Sequence, residues 1–147
     1  MKPDEIVKAF LEKYAGMTVV AAWGETSVFY NPTLLLPRGV YFATVKEQDG
    51  ENDKASNLSR EGVFRLNIGV TKSLYIEHFG QPPSRPSKGE VIEGDWNFTE
   101  TNKLMPHPVY AWMGWVAVNN PTSETFSDLS PFFDSAYQKA LTSFKRR

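Results

Sequence analysis

One stretch constrains this chain more than any other: Gly62-Val63-Phe64-Arg65-Leu66-Asn67-Ile68-Gly69-Val70. Side chains alternate between the two faces of a strand, so Phe64, Leu66, Ile68 and Val70 form one row and Val63, Arg65, Asn67 and Gly69 the other. A purely apolar row has to be covered by another layer, so the chain needs a sheet with something packed on one face. The cover is visible at both ends. Pro3, Asp4 and Glu5 start a helix whose stripe is Ile6, Val7, Phe10, Leu11 and Tyr14, and Gly16 stops it. At the other end, Thr122 or Ser123 caps a short piece. Ser130-Pro131 then opens a helix with the stripe Phe132, Phe133, Ala136, Tyr137, Ala140, Leu141 and Phe144.

Four further strands are expected: residues 18–23 and 28–30 as a hairpin, residues 39–47, and Val109 to Val118. Thr71 to Phe79, closed by Gly80, reads as a short helix, and residues 98–104 as a helical turn. The fold expected is one α+β domain over residues 1–147. It has a mostly antiparallel, twisted sheet of about five strands, with the N- and C-terminal helices together on one face. Phe10, Leu66, Ile68, Phe133 and Tyr137 are the expected core. Residues 81–95 hold Pro82, Pro83, Pro86, Gly89 and Gly94, which predicts a long mobile loop placed to act as a lid.

Composition removes several classes of function. The chain has no cysteine and only two histidines, His78 and His107, so thiolate metal sites, cysteine nucleophiles and histidine-rich metal centres are out. No cofactor fingerprint and no metal site are expected. The loop from Asp49 begins like a calcium loop, but Lys54 stands where glycine is needed and Arg60 where the closing glutamate belongs. Residues 1–80 carry nine basic and ten acidic side chains and residues 81–147 seven of each. Neither half has the basic excess of a phosphate-backbone binder, so nucleic acid is an unlikely partner. The longest apolar run has ten residues, against about 20 for a membrane span. With no apolar leader after Met1, a cytoplasmic monomer or homodimer is expected.

The candidate site is built from two segments. Arg65 and Asn67 are neighbours on the face away from the core, a cation and an amide suited to clamp a carboxylate, phosphate or amide. The competing reading pairs Arg65 with Asp53 or Glu61 as a structural ion pair. His107 stands between Pro106 and Pro108, which hold it extended ahead of the Val109 strand, with a pKa suited to acid–base work. Trp112 and Trp115 fall on opposite faces of that strand, so one is core and the other floors a pocket. Asp53, Asn57 and Arg60 lie in the turn-rich loop leading into the Arg65 strand. Asp53, Asn57, Arg60, Arg65, Asn67, His107 and Trp112 therefore form the candidate set for a small anionic or amide-bearing ligand. An enzyme with His107 as acid–base and Arg65 as anion clamp is the alternative.

Two long motifs also carry a resemblance. Ser56-Asn57-Leu58-Ser59-Arg60-Glu61-Gly62-Val63-Phe64-Arg65-Leu66-Asn67-Ile68-Gly69-Val70 and Met105-Pro106-His107-Pro108-Val109-Tyr110-Ala111-Trp112-Met113-Gly114-Trp115 resemble the two signatures of an uncharacterised bacterial family, a domain of unknown function. That resemblance implies no activity. More distantly, the order of elements is similar to MmcQ/YjbR-type, double-wing proteins. This likeness implies a twisted antiparallel sheet and raises nucleic-acid binding as a third reading.

Overall fold

The computed structural model describes residues 1–34 and 36–146. The order of elements is α1 (Pro3–Lys13), β1 (Met17–Ala22), β2 (Glu25–Tyr30), β3 (Val40–Lys46), β4 (Arg65–Gly69), α2 (Lys72–Phe79), β5 (Leu104–Pro106), a one-turn 3-10 helix (Ala111–Met113), β6 (Trp115–Asn119), α3 (Ser123–Asp128) and α4 (Ser130–Lys145). This is an α+β fold. The six strands form one antiparallel sheet in the order β1-β2-β3-β4-β6-β5.

The terminal helices lie together on one face. Pro3 stands in the first turn of α1, and the Lys2 N–H donates to the Glu5 carboxylate at 2.9 Å, which satisfies one of the free donors at that end. The α1 stripe then meets both the sheet and α4. The Phe10 ring stands edge-on to Phe42 of β3 at 5.0 Å and to Phe133 of α4 at 4.9 Å. The Tyr14 hydroxyl donates to Asp134 at 2.6 Å, and burial followed by this carboxylate raises its pKa. Beneath the helices, the expected row of β4 is in place: Phe64, Leu66, Ile68 and Val70 are all buried in the core. Full burial of a side chain such as Phe10 contributes about 1.5–3 kcal/mol. Tyr137 departs from expectation. It is half-buried, because its hydroxyl donates to the Ala15 carbonyl at 2.8 Å at the rim of the helix layer.

Two expected elements differ. The sheet has six strands rather than about five, because Leu104–Pro106 forms an additional edge strand on β6. Pro106 removes a ladder donor, and an edge strand is where that is tolerated. Val109 to Val118 is not one strand. The chain turns at His107–Tyr110, makes the 3-10 turn, and passes Gly114 at φ 91 before β6 begins at Trp115. A left-handed residue at that point favours glycine, and Gly114 supplies it. Residues 98–104 give a turn and the start of β5 rather than a helical turn.

Candidate functional site

The sheet face opposite the helices is built around Arg65. Strand register sets Lys46, Arg65 and Asn119 side by side, then Thr44, Asn67 and Ala117 one row along. Arg65 Nε donates to Asn67 Oδ1 at 2.7 Å. Its Nη1 donates to Asp53 Oδ1 and Ser56 Oγ, both at 3.0 Å, and its Nη2 donates to Asp53 Oδ2. Asn67 Nδ2 continues the chain to Thr44 Oγ1 at 2.9 Å.

Alternation puts Arg65 on the face away from the core, yet it is 0% exposed. The side chain is on the non-core face, as alternation requires, but the 47–64 connection folds back over it. Asp49 closes that loop by accepting the Leu58 N–H at 2.8 Å and the Ser59 hydroxyl at 3.0 Å. Ser56 and Leu58 are buried as a result. A guanidinium taken out of water costs several kcal/mol unless it is paired, and the two-pronged contact with Asp53 offsets that cost.

His107 reaches the same cluster from the other side. It follows directly on β5, its N–H continues the ladder to the Trp115 carbonyl at 3.0 Å, and its side chain is 2% exposed. Its Nδ1 accepts the backbone N–H groups of Val109 and Tyr110, each at 3.0 Å. Its other ring nitrogen, Nε2, stands 3.4 Å from Arg65 Nη2. Burial, then the Arg65 and Lys46 charges, hold the pKa well below its usual value. The ring is neutral at neutral pH, and two backbone N–H groups engage its Nδ1.

An open cleft of about 480 Å³ lies over this cluster. Thr44, Lys46 and Tyr41 of β3 and Trp115 of β6 form its floor. Glu25, Gly50, Asn52 and Asp53 form one wall, and His107, Val109, Tyr110 and Met113 the other. A bulge shapes the floor. Val28 pairs with Ala43 and Phe29 with Tyr41, so Phe42 is the extra residue and joins the core. Tyr41 thereby shares the cleft face with Thr44 and Lys46. Gly69 makes room for Trp115 on the adjacent strand, since a Cβ there would sit 2.9 Å from the indole.

Of the residues proposed from sequence, Asp53 and His107 line the cleft, and Arg65 and Asn67 are buried in the network they belong to. The other three lie elsewhere. Asn57 occupies a left-handed turn at φ 49, and Arg60 donates to the Asn57, Ser56 and Thr99 carbonyls, each at 3.0 Å. Both pin the loop. Trp112 lines a neighbouring groove. Neither Trp112 nor Trp115 is core, for both are half-buried. Sequence reasoning missed Glu25, Tyr41, Thr44, Lys46, Tyr110 and Met113. The cue for Lys46 and Thr44 was their spacing of two on a strand, which the apolar character of its other residues hid. Among the described residues, no group of three or more acidic, histidine or cysteine side chains is arranged to hold a metal. Asp49 and Asp53, the start of the calcium-like loop, are engaged with the Leu58 N–H and with Arg65.

A family profile described as "Family of unknown function (DUF6194)" matches residues 1–147. The chain belongs to this family. No curated protein and no solved structure matches the DUF6194 chain. Among its described residues, no helix is long and apolar enough to cross a membrane.

Proposed function

We propose that this DUF6194 chain is a small-ligand-binding module, and that its cleft takes a planar compound bearing amide or anionic groups. The observation that carries this reading is the fully buried Arg65, paired with Asp53 directly beneath an open cleft. The network fixes Asp53, Asn67 and Thr44 before any ligand arrives, which lowers the ordering cost of binding. Lys46 supplies a donor, Glu25 an acceptor, and Tyr41, Tyr110 and Trp115 flat apolar surface. Arg65 acts from behind, by holding Asp53, rather than as the anion clamp its strand position suggested. The nucleic-acid reading rests on the order of elements alone, and a chain of net charge −1 gives it little electrostatic support.

The test is a thermal-shift panel of planar amides, aromatic carboxylates and organic phosphates, run on the native chain and on Lys46→Met/Tyr110→Ala. Tyr110 is 46% exposed, so its truncation leaves the core intact. A binder at 100 times its Kd adds about 2.7 kcal/mol, or several degrees at about 2–4 °C per kcal/mol for a chain of this size. The reading expects shifts of that order in the native chain that vanish in the variant. A flat panel, or shifts that survive the double substitution, overturns it.

A further inference from the structure

Beside the cleft lies a second groove of about 300 Å³, and Asn52, Val109 and Tyr110 line both. Its far side is the proline-rich connection: Arg85, Pro86, Ser87, Lys88 and Gly89, with Trp112 as the facing aromatic. The Arg85 guanidinium carbon sits over the Trp112 ring at 5.0 Å from its centroid. That contact holds the cation in place while leaving its N–H donors for an oxyanion. Among the described residues, neither Arg85 nor Lys88 has a carboxylate within ion-pair distance. Two uncommitted cations therefore face a concave space that opens into the cleft. Within the cleft itself, Lys46 and the oppositely charged Glu25 are cross-strand partners, and Asp53 is spent on Arg65. Charge along the combined groove thus runs from mixed at the sheet to positive at Arg85 and Lys88.

We propose that the groove beside Trp112 is an anion subsite, in which Arg85 and Lys88 receive the phosphate or carboxylate of a ligand whose planar, amide-bearing body occupies the adjoining cleft. This rests on the cleft reading for the body of the ligand but not for the anion. Tyr110, which borders both spaces, is the partition the ligand passes. Trp112, placed with the candidate site from sequence, belongs to it through Arg85 rather than as the floor.

The test separates the two parts. Three probes are titrated into isotope-labelled protein at low salt: inorganic pyrophosphate, uridine and uridine 5′-monophosphate. The side-chain N–H signals of Arg85, Trp112 and Trp115 are followed, alongside Arg85→Gln/Lys88→Gln. Pyrophosphate is expected to shift Arg85 and Trp112 saturably. The monophosphate is expected to bind about tenfold tighter than uridine, a difference of about 1.4 kcal/mol. The double variant should abolish both effects and leave uridine at Trp115 unchanged. Unsaturable pyrophosphate shifts spread over surface lysines, or a phosphate advantage that persists in the double variant, overturn the subsite. Saturable pyrophosphate binding at Trp112 with no uridine effect at Trp115 keeps the subsite and counts against the cleft reading. Uridine at Trp115 without any phosphate advantage does the reverse.

Discussion

Replacing Asp53 by asparagine tests the buried network directly. Arg65 is 0% exposed, and its side chain has one counter-charge, Asp53, which is 14% exposed. The Asp53→Asn amide would keep the shape and one accepting oxygen but leave the guanidinium uncompensated in the interior. Removing one partner of a buried pair costs about 3–5 kcal/mol. The slight exposure of Asp53 and the remaining bonds to Ser56 and Asn67 place the expectation near the low end, about 3 kcal/mol. Urea unfolding at neutral pH reads this as a lower midpoint at unchanged slope. The matching thermal shift is about 6–12 °C. Arg65→Met on its own should also destabilise, whereas Asp53→Asn/Arg65→Met should cost clearly less than the sum, because the unpaired charge is gone. An Asp53→Asn variant within about 0.5 kcal/mol of the parent, the usual range for a neutral surface change, would refute the reasoning.

Other consequences are equally accessible. The native fold holds His107 neutral while the unfolded chain takes up its proton near pH 6.5, so the native state is favoured above that pH and loses stability as pH falls below it. The slope is at most about 1.4 kcal/mol per unit. His107→Asn should flatten it between about pH 6.5 and 5, and an identical pH profile would contradict the assignment. Gly69→Ala should cost about 1–3 kcal/mol and shift the Trp115 indole resonance, since the new Cβ meets the ring at 2.9 Å; a silent substitution would mean the ring is not there. Residues 81–95 place few backbone N–H groups in hydrogen bonds, those of Glu90 to Ser87 and Ile92 to Pro108 among them. We expect rapid hydrogen exchange across that connection except near Ile92, and uniform protection would remove the mobile-lid reading.

The parts of this protein readable from sequence are those set by periodicity within one segment. Alternation alone put Leu66 and Ile68 in the core and Arg65 with Asn67 on the other face, and helical spacing identified Phe10 and Phe133 as the facing stripe. Convergence of Asp53, Arg65 and His107 was also legible, because Arg65 opens β4, His107 follows β5 and Asp53 lies in the loop leading into β4. Burial of Arg65 was not, for it depends on Asp49 closing a loop nine residues ahead of Leu58, a contact with no local signature. The break before Trp115 was hidden by the apolar run around it, although Gly114 marked the position. The Trp115–Gly69 pairing and the bulge at Phe42 are matters of register between strands, which a single segment does not encode. They decide which aromatic floors the cleft.

The central claim is that a ligand sits over the Arg65 network, against Trp115. Its most direct measurement is a backbone and indole chemical-shift map of the native chain with the tightest compound from the thermal-shift panel. The account predicts saturable shifts clustered at Gly50, Thr44, Tyr110 and the Trp115 indole, with α1 and α4 silent. Shifts centred on the terminal helices, or on the exposed Trp23 at the β1–β2 turn while Trp115 stays unmoved, would contradict it.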